Sequence, residues 1–152
     1  MEFKLVPMTR EHIPFVARLE RENFSVPESE QSLLETLKSD IALYFTAFYG
    51  DTPVGYITAY VTLDTADILS VAVEGKYRRK GYGRKIIRSF ADICRQKELS
   101  LVTLEVRQSN VPARTLYESE GFISVGVRKG YYKLPKEDAV LYDLNLEQEE
   151  KL

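Results

Sequence analysis

Arg78-Arg79-Lys80-Gly81-Tyr82-Gly83-Arg84 lies between two stretches of different periodicity. Before it, Ile68-Leu69-Ser70-Val71-Ala72-Val73 is a short apolar run that reads as a strand. After it, Ile86, Ile87, Phe90 and Ile93 recur at helical spacing and predict a helix. A glycine-containing turn between strand and helix lets the backbone come close to a ligand. The helix start carries unpaired N–H groups and the positive end of the macrodipole. Arg78, Arg79, Lys80, Arg84 and Lys85 crowd this turn. The combination is an anion site, and its expected ligand is a phosphate or pyrophosphate.

The rest of the chain is not basic. Its 152 residues carry a net charge of −2, so bulk electrostatics do not make it a nucleic-acid binder, and the basic turn is a local exception. The length suits one domain, expected at residues 1–146, followed by a polar tail at 147–152. One cysteine, Cys94, allows no disulfide framework, and the single His12 argues against a histidine metal cluster, so no metal is expected. No apolar stretch is long enough to cross a membrane, and the mixed N-terminus is no signal peptide. A cytoplasmic protein is expected.

Working outward from the turn, Phe3–Pro7 reads as a strand. Ile13, Val16, Ala17 and Leu19 mark a helix with Pro14 in its first turn. Ser29 is the expected N-cap of a second helix carrying Leu33, Leu34 and Leu37. Ile41–Tyr49 and Val54–Leu63 read as a hairpin turning at Gly50-Asp51-Thr52-Pro53. Leu101–Arg107 is a further strand. Asn110 caps a short helix, with Pro112 in its first turn and Gly121 past its end. Phe122–Tyr132 and Ala139–Leu146 are the last strands, joined by a charged loop. The order β-α-α-β-β-β-α-β-α-β-β gives an α/β (α+β) fold. Its mixed, mostly antiparallel sheet of seven strands is flanked by four helices, with the parallel crossover between strands 66–73 and 101–107.

The turn lacks the Gly-Lys-Ser/Thr of a P-loop and the third glycine of a dinucleotide fingerprint. In Leu101–Arg107 the strand period puts Thr103, Glu105 and Arg107 on one face and Val102, Leu104 and Val106 on the other. Glu105 is either ion-paired, with Arg107 or across strands, or it is a general base. Tyr117 shares a helical stripe with Ala113, Leu116 and Glu120; it is either a core tyrosine or a proton donor. Cys94 lies on the apolar stripe of the central helix and reads as core, and His12 as a surface or capping residue. Tyr131 and Tyr132 alternate on their strand, so one is expected in the core and the other on a substrate groove.

Arg-x-x-Gly-x-Gly opening a helix resembles the acetyl-CoA pyrophosphate loop of the GNAT acetyltransferases. Leu104–Asn110, Ala113, Leu116-Tyr117-Glu118, Gly121-Phe122 and Arg128–Tyr132 extend the likeness to the ribosomal-protein-alanine N-acetyltransferase (RimI) branch. The resemblance implies the GNAT acyl-CoA N-acyltransferase fold, acetyl-CoA as donor, and a protein N-terminal α-amine, such as the N-terminal alanine of a ribosomal protein, as acceptor. It further implies Glu105 as base and Tyr117 as acid. Val71, Ala72 and Val73 would meet the thioester and pantetheine arm. Arg78, Arg79, Lys80, Gly81, Tyr82, Gly83 and Arg84 would hold the phosphates, and Asn110 would also touch the cofactor. Departures cluster on the acceptor side: Val26-Pro27-Glu28-Ser29 stands where relatives often have Pro-Trp-Ser, and Ser70 where they often have Asn. A lysine side chain, a small amine or a polyamine is the alternative acceptor, and a non-catalytic acyl-CoA-binding module the alternative class.

Overall fold

The computed structural model, described for residues 1–147, contains the eleven expected elements in the expected order. They are β1 (Phe3–Pro7), α1 (Ile13–Asn23), α2 (Glu30–Thr36), β2 (Phe45–Tyr49), β3 (Thr52–Thr62), β4 (Thr65–Val73), α3 (Tyr82–Gln96), β5 (Leu101–Arg107), α4 (Val111–Ser119), β6 (Ile123–Lys133) and β7 (Lys136–Asn145). From residue 148 on, the expected polar tail lies outside the described residues. The strands stand in the order β1-β2-β3-β4-β5-β7-β6, and every neighbouring pair is antiparallel except β4 and β5.

Local chemistry sets the helix starts. Thr9 N–H donates to His12 Nδ1 at 3.1 Å ahead of α1, whose first turn holds Pro14. Ser29 Oγ accepts from Ser32 N–H at 3.0 Å, and Asn110 Oδ1 from Ala113 N–H at 3.2 Å. The helices cover the two faces of the sheet with separate cores. Ile13, Val16, Leu19 and Leu33 of α1 and α2 pack with Tyr44, Tyr56 and Ala72 on one face. Ile86, Ile87, Phe90 and Cys94 of α3 pack with Tyr117 of α4, Ile57 and Val102 on the other. Burial pushes the Cys94 thiol up to about 12, so it is an inert core residue.

Three boundaries differ from the sequence reading. Strand β2 begins at Phe45, because Ile41–Tyr44 make only the single bridge Ala42–Tyr60. The β2–β3 turn is Gly50-Asp51 alone; Pro53 is accommodated inside β3 where the register shifts at Ala47/Phe48, a place for a residue with no N–H to donate. The charged loop expected before Ala139 is instead strand on both sides of a turn at Leu134-Pro135. Charged side chains are no obstacle on a hairpin whose residues 133–136 are exposed.

Two irregularities create the site. First, β4 and β5 pair only at Thr65–Leu101, Ala66–Val102 and Asp67–Thr103, and then part. Second, β4 carries a bulge. Ser70 lies opposite Thr58 but Ile68 lies opposite Ala59, leaving Leu69 as the extra residue. One extra residue reverses the alternation of faces. Ala66 and Ile68 therefore join the α3 core, whereas Ala72 joins the α1 core. Gly55 fits this region: a Cβ there would sit 2.5 Å from the Ala72 carbonyl oxygen and 3.0 Å from Ile86 Cδ1. Gly55→Ala is expected to destabilise the fold by roughly 1–3 kcal/mol in urea unfolding. A change below about 0.5 kcal/mol, the scale of an ordinary surface substitution, would show that the β3–β4 approach is not constrained.

Candidate active site

The space between the parted strands is a cavity of about 230 Å³, bordered by Ser70 and Val71 of β4, Glu105 and Arg107 of β5, Tyr117 and Tyr132. On one side it meets a cleft of about 610 Å³ that follows Val71-Ala72-Val73 to the basic turn. On the other it meets a groove of about 560 Å³ between the α1–α2 segment and Tyr60, Leu69, Arg107 and Tyr132. Asn23 and Phe24 border all three, so the cleft, cavity and groove adjoin one another.

At the cleft end, Gly81 is the α3 N-cap with φ +84°, in the left-handed region that glycine tolerates. The Lys85 N–H makes the bond back to the Gly81 carbonyl, so the N–H groups of Tyr82, Gly83 and Arg84 precede the helical ladder and have no partner within it. Arg78 is anchored beside them: Nε donates to the Val73 carbonyl at 3.1 Å, and a terminal nitrogen donates to Asn23 Oδ1 at 2.6 Å. Val71, Ala72, Val73, Arg78, Arg79, Gly81, Tyr82, Gly83 and Asn110 all border the cleft. Lys80 and Arg84 are not among its lining. The Arg84 guanidinium is bonded to Ser119 and Glu120, and Arg88 joins it on the same Glu120 carboxylate. That pairing was invisible in the sequence because it joins α3 to the far end of α4.

Glu105 projects from the face of β5 that also carries Thr103 and Arg107, with Val102, Leu104 and Val106 buried behind it. Burial raises its carboxyl above the usual carboxylate range. The negative charge of Asp67 adds to this and Arg128, 3.6 Å away, opposes it. Asp67 is itself held by a 2.7 Å hydrogen bond from Thr103. The ion pair anticipated for Glu105 thus exists, but with Arg128 of β6 rather than Arg107. The carboxyl keeps access to the cavity.

Tyr117 is packed as a core residue and also reaches the cavity. Its ring packs against Phe122 and Tyr142, with centroids 5.6 and 6.3 Å away, and its residue borders both the cleft and the cavity. Burial first, and Tyr132 second, hold its phenol above the ordinary tyrosine value, so it is protonated at neutral pH and able to donate. Neither Tyr131 nor Tyr132 is a core residue, contrary to the simple alternation. The register shifts between Arg128 and Tyr132, where Gly130 has φ +63°, and the period is broken. Tyr132 lines the cavity and groove, and the exposed Tyr131 stacks under Arg128.

Sequence reasoning passed over Glu20. It is 3% exposed and accepts hydrogen bonds from the Tyr56 and Ser70 hydroxyls and the Glu28 N–H. Its signal was present: Glu20 extends the stripe Ile13-Val16-Ala17 by i+7, and an acid on an apolar stripe needs partners. These bonds tie α1, the α1–α2 segment, β3 and the bulged part of β4 together beside the groove.

The chain matches the acetyltransferase (GNAT) family over residues 13–122. A relative from Bacillus subtilis (strain 168) is 33% identical over 135 residues, covering 88% of this chain and 89% of its own length. The [ribosomal protein bS18]-alanine N-acetyltransferase of Escherichia coli (strain K12) is 29% identical over 134 residues, covering 87% of this chain and 90% of its own. The crystal structure of the ribosomal-protein-S18-alanine N-acetyltransferase from Escherichia coli matches with a TM-score of 0.87 at 26% identity, over 98% of this chain and 97% of that one.

Proposed function

Because this chain belongs to the GNAT acetyltransferase family, whose donor is acetyl-CoA, we propose that it acetylates a protein N-terminal α-amine, with an N-terminal alanine of a ribosomal protein as the favoured acceptor. The relatives named for that reaction support this choice. Residues 1–146 would act as one acetyltransferase domain. No described helix is long and apolar enough to cross a membrane, and the proposed setting is the cytoplasm.

The observation that carries the reading is that Glu105 and Tyr117 border one cavity between the cleft and the groove. In the proposed reaction the cleft residues Val71–Val73, Arg78, Arg79, Gly81–Gly83 and Asn110 hold acetyl-CoA. Backbone groups of β4 beyond Asp67, which have no partner on β5, orient the thioester. The amine enters from the groove. Glu105 takes its proton directly or through a water, because a free α-amine titrates near ~8 and must be neutral to attack. The nitrogen forms a bond to the acetyl carbon, the carbon–sulfur bond breaks, and Tyr117 gives its proton to the departing thiolate.

A groove walled by the α1–α2 segment and the β6–β7 hairpin suits an extended peptide. Glu20 and Glu28 on its lining favour a second acceptor, a small polycationic amine. Turnover measured with alanine-starting peptides, lysine peptides and polyamines separates them. Preference for the peptides by at least about tenfold in kcat/KM supports the first reading, and preference for polyamines overturns it.

The pH profile offers a further check. A protonated Glu105 cannot accept a proton, so its titration sets an acid limb in kcat. Asp67 favours the neutral carboxyl and Arg128 the charged one. Asp67→Asn is therefore expected to move the acid limb to lower pH, and Arg128→Gln to higher pH. A limb that ignores both changes would remove Glu105 from the role.

A further inference from the structure

We propose that Arg107 is a positioning residue that clasps the two walls of the acceptor groove and sets Tyr132 at its mouth. The proposal rests on the reading that the acceptor enters through this groove. One terminal nitrogen of the guanidinium donates to the Pro135 carbonyl at 2.8 Å and to Glu137 at 3.2 Å. The other donates to the Leu134 carbonyl at 3.1 Å and to Ser25 Oγ at 3.4 Å. Its guanidinium carbon lies over the Tyr132 ring, 4.3 Å from the ring centre. One side chain on β5 thus reaches the hairpin turn, the α1–α2 segment and an aromatic residue of the groove.

Among the described residues no hydrogen bond joins the two walls directly to each other; the α1–α2 segment is held from its own side, by Glu20 and Arg78. Beyond the register shift, the end of the hairpin keeps only the pairs Tyr132–Glu137 and Lys133–Lys136. Opposite it, residues 21–27 are exposed. Arg107 is itself well held: Glu137 is anchored on its far side by the Ser109 N–H at 2.6 Å, just past the end of β5. Because Arg107 is two residues from Glu105 on the same strand face, the clasp fixes the groove relative to the base. Lysine cannot take this place. Its ammonium has three donors, no planar fork and no flat face to stack on a ring.

The test is steady-state kinetics with an alanine-starting peptide. Arg107→Ala and Arg107→Lys are both expected to raise the peptide KM about tenfold, a loss of about 1.4 kcal/mol in binding. The values of kcat, the acetyl-CoA KM and the acid limb should stay near wild type. In a Tyr132→Ala background, Arg107→Ala is expected to add less than about twofold, because the two act as a unit. Should Arg107→Ala not fold, Glu137→Gln, which loosens the clasp from its other end, is expected to raise the peptide KM by a smaller factor. A fall in kcat with peptide KM intact, equal rises in both KM values, or full additivity with Tyr132→Ala would each overturn the proposal. If the wild-type enzyme turns over polyamines and not peptides, the N-terminal reading fails on that comparison alone. The same KM criterion then judges Arg107 with the polyamine.

Discussion

Glu105→Gln is expected to lower kcat by about 10²- to 10⁴-fold, the range for removing a positioned general base. Glutamine keeps the size and much of the hydrogen bonding of the carboxyl, so packing on β5 should persist. The substitution also leaves Arg128 without its partner, but that side chain is half exposed and its pairing contributes little to stability. Acetyl-CoA binding, measured by calorimetry, should be unchanged, because Glu105 borders the cavity and the cleft that would hold the cofactor lies beyond it. The deficit should also shrink as pH rises toward ~8, where the α-amine begins to lose its proton without help. Unchanged turnover would take the role of base away from Glu105.

Tyr117→Phe carries the second large effect. Loss of the phenolic proton is expected to cost about 10²-fold or more in kcat. The ring contacts with Phe122 and Tyr142 are kept, so the thermal midpoint should move little. In the wild type, the upward displacement of the phenol predicts no alkaline limb from Tyr117 below pH ~10, where an ordinary tyrosine would titrate. An enzyme that retains full kcat with phenylalanine would make Tyr117 a core residue only.

The parts of this site legible in the sequence are those governed by neighbours in the chain. Glycine at the α3 N-cap, Asn110 as a cap, Pro14 and Pro112 in first turns, and the outward face of Glu105 all follow from spacing of a few residues. What spacing could not reveal depends on which strand lies beside which. Leu69 becomes a bulge only when β3 is laid against β4. Arg84 turns to Glu120, Arg128 reaches Glu105 past β7, and Tyr131 loses its alternation through a shift against β7. Glu20 stands between these cases. Its oddity is local, but its partners Tyr56 and Ser70 come from two strands far along the chain.

The early end of the β4–β5 ladder at Asp67–Thr103 gives this sheet two edges in its interior. An outer edge invites a stray polypeptide to add itself as another strand, and proteins must blunt it with charge, bulges or cover. Here the cover is the architecture itself, since α1 and α2 lie over one face, α3 and α4 over the other, and the three rungs close the far end. A full β-strand would also need room on both faces of the sheet for its side chains, and the helices occupy that room. A narrow chain bearing amide groups needs only the gap. On the proposed reading, the gap admits a guest by its cross-section, a requirement separate from the charge of the basic turn.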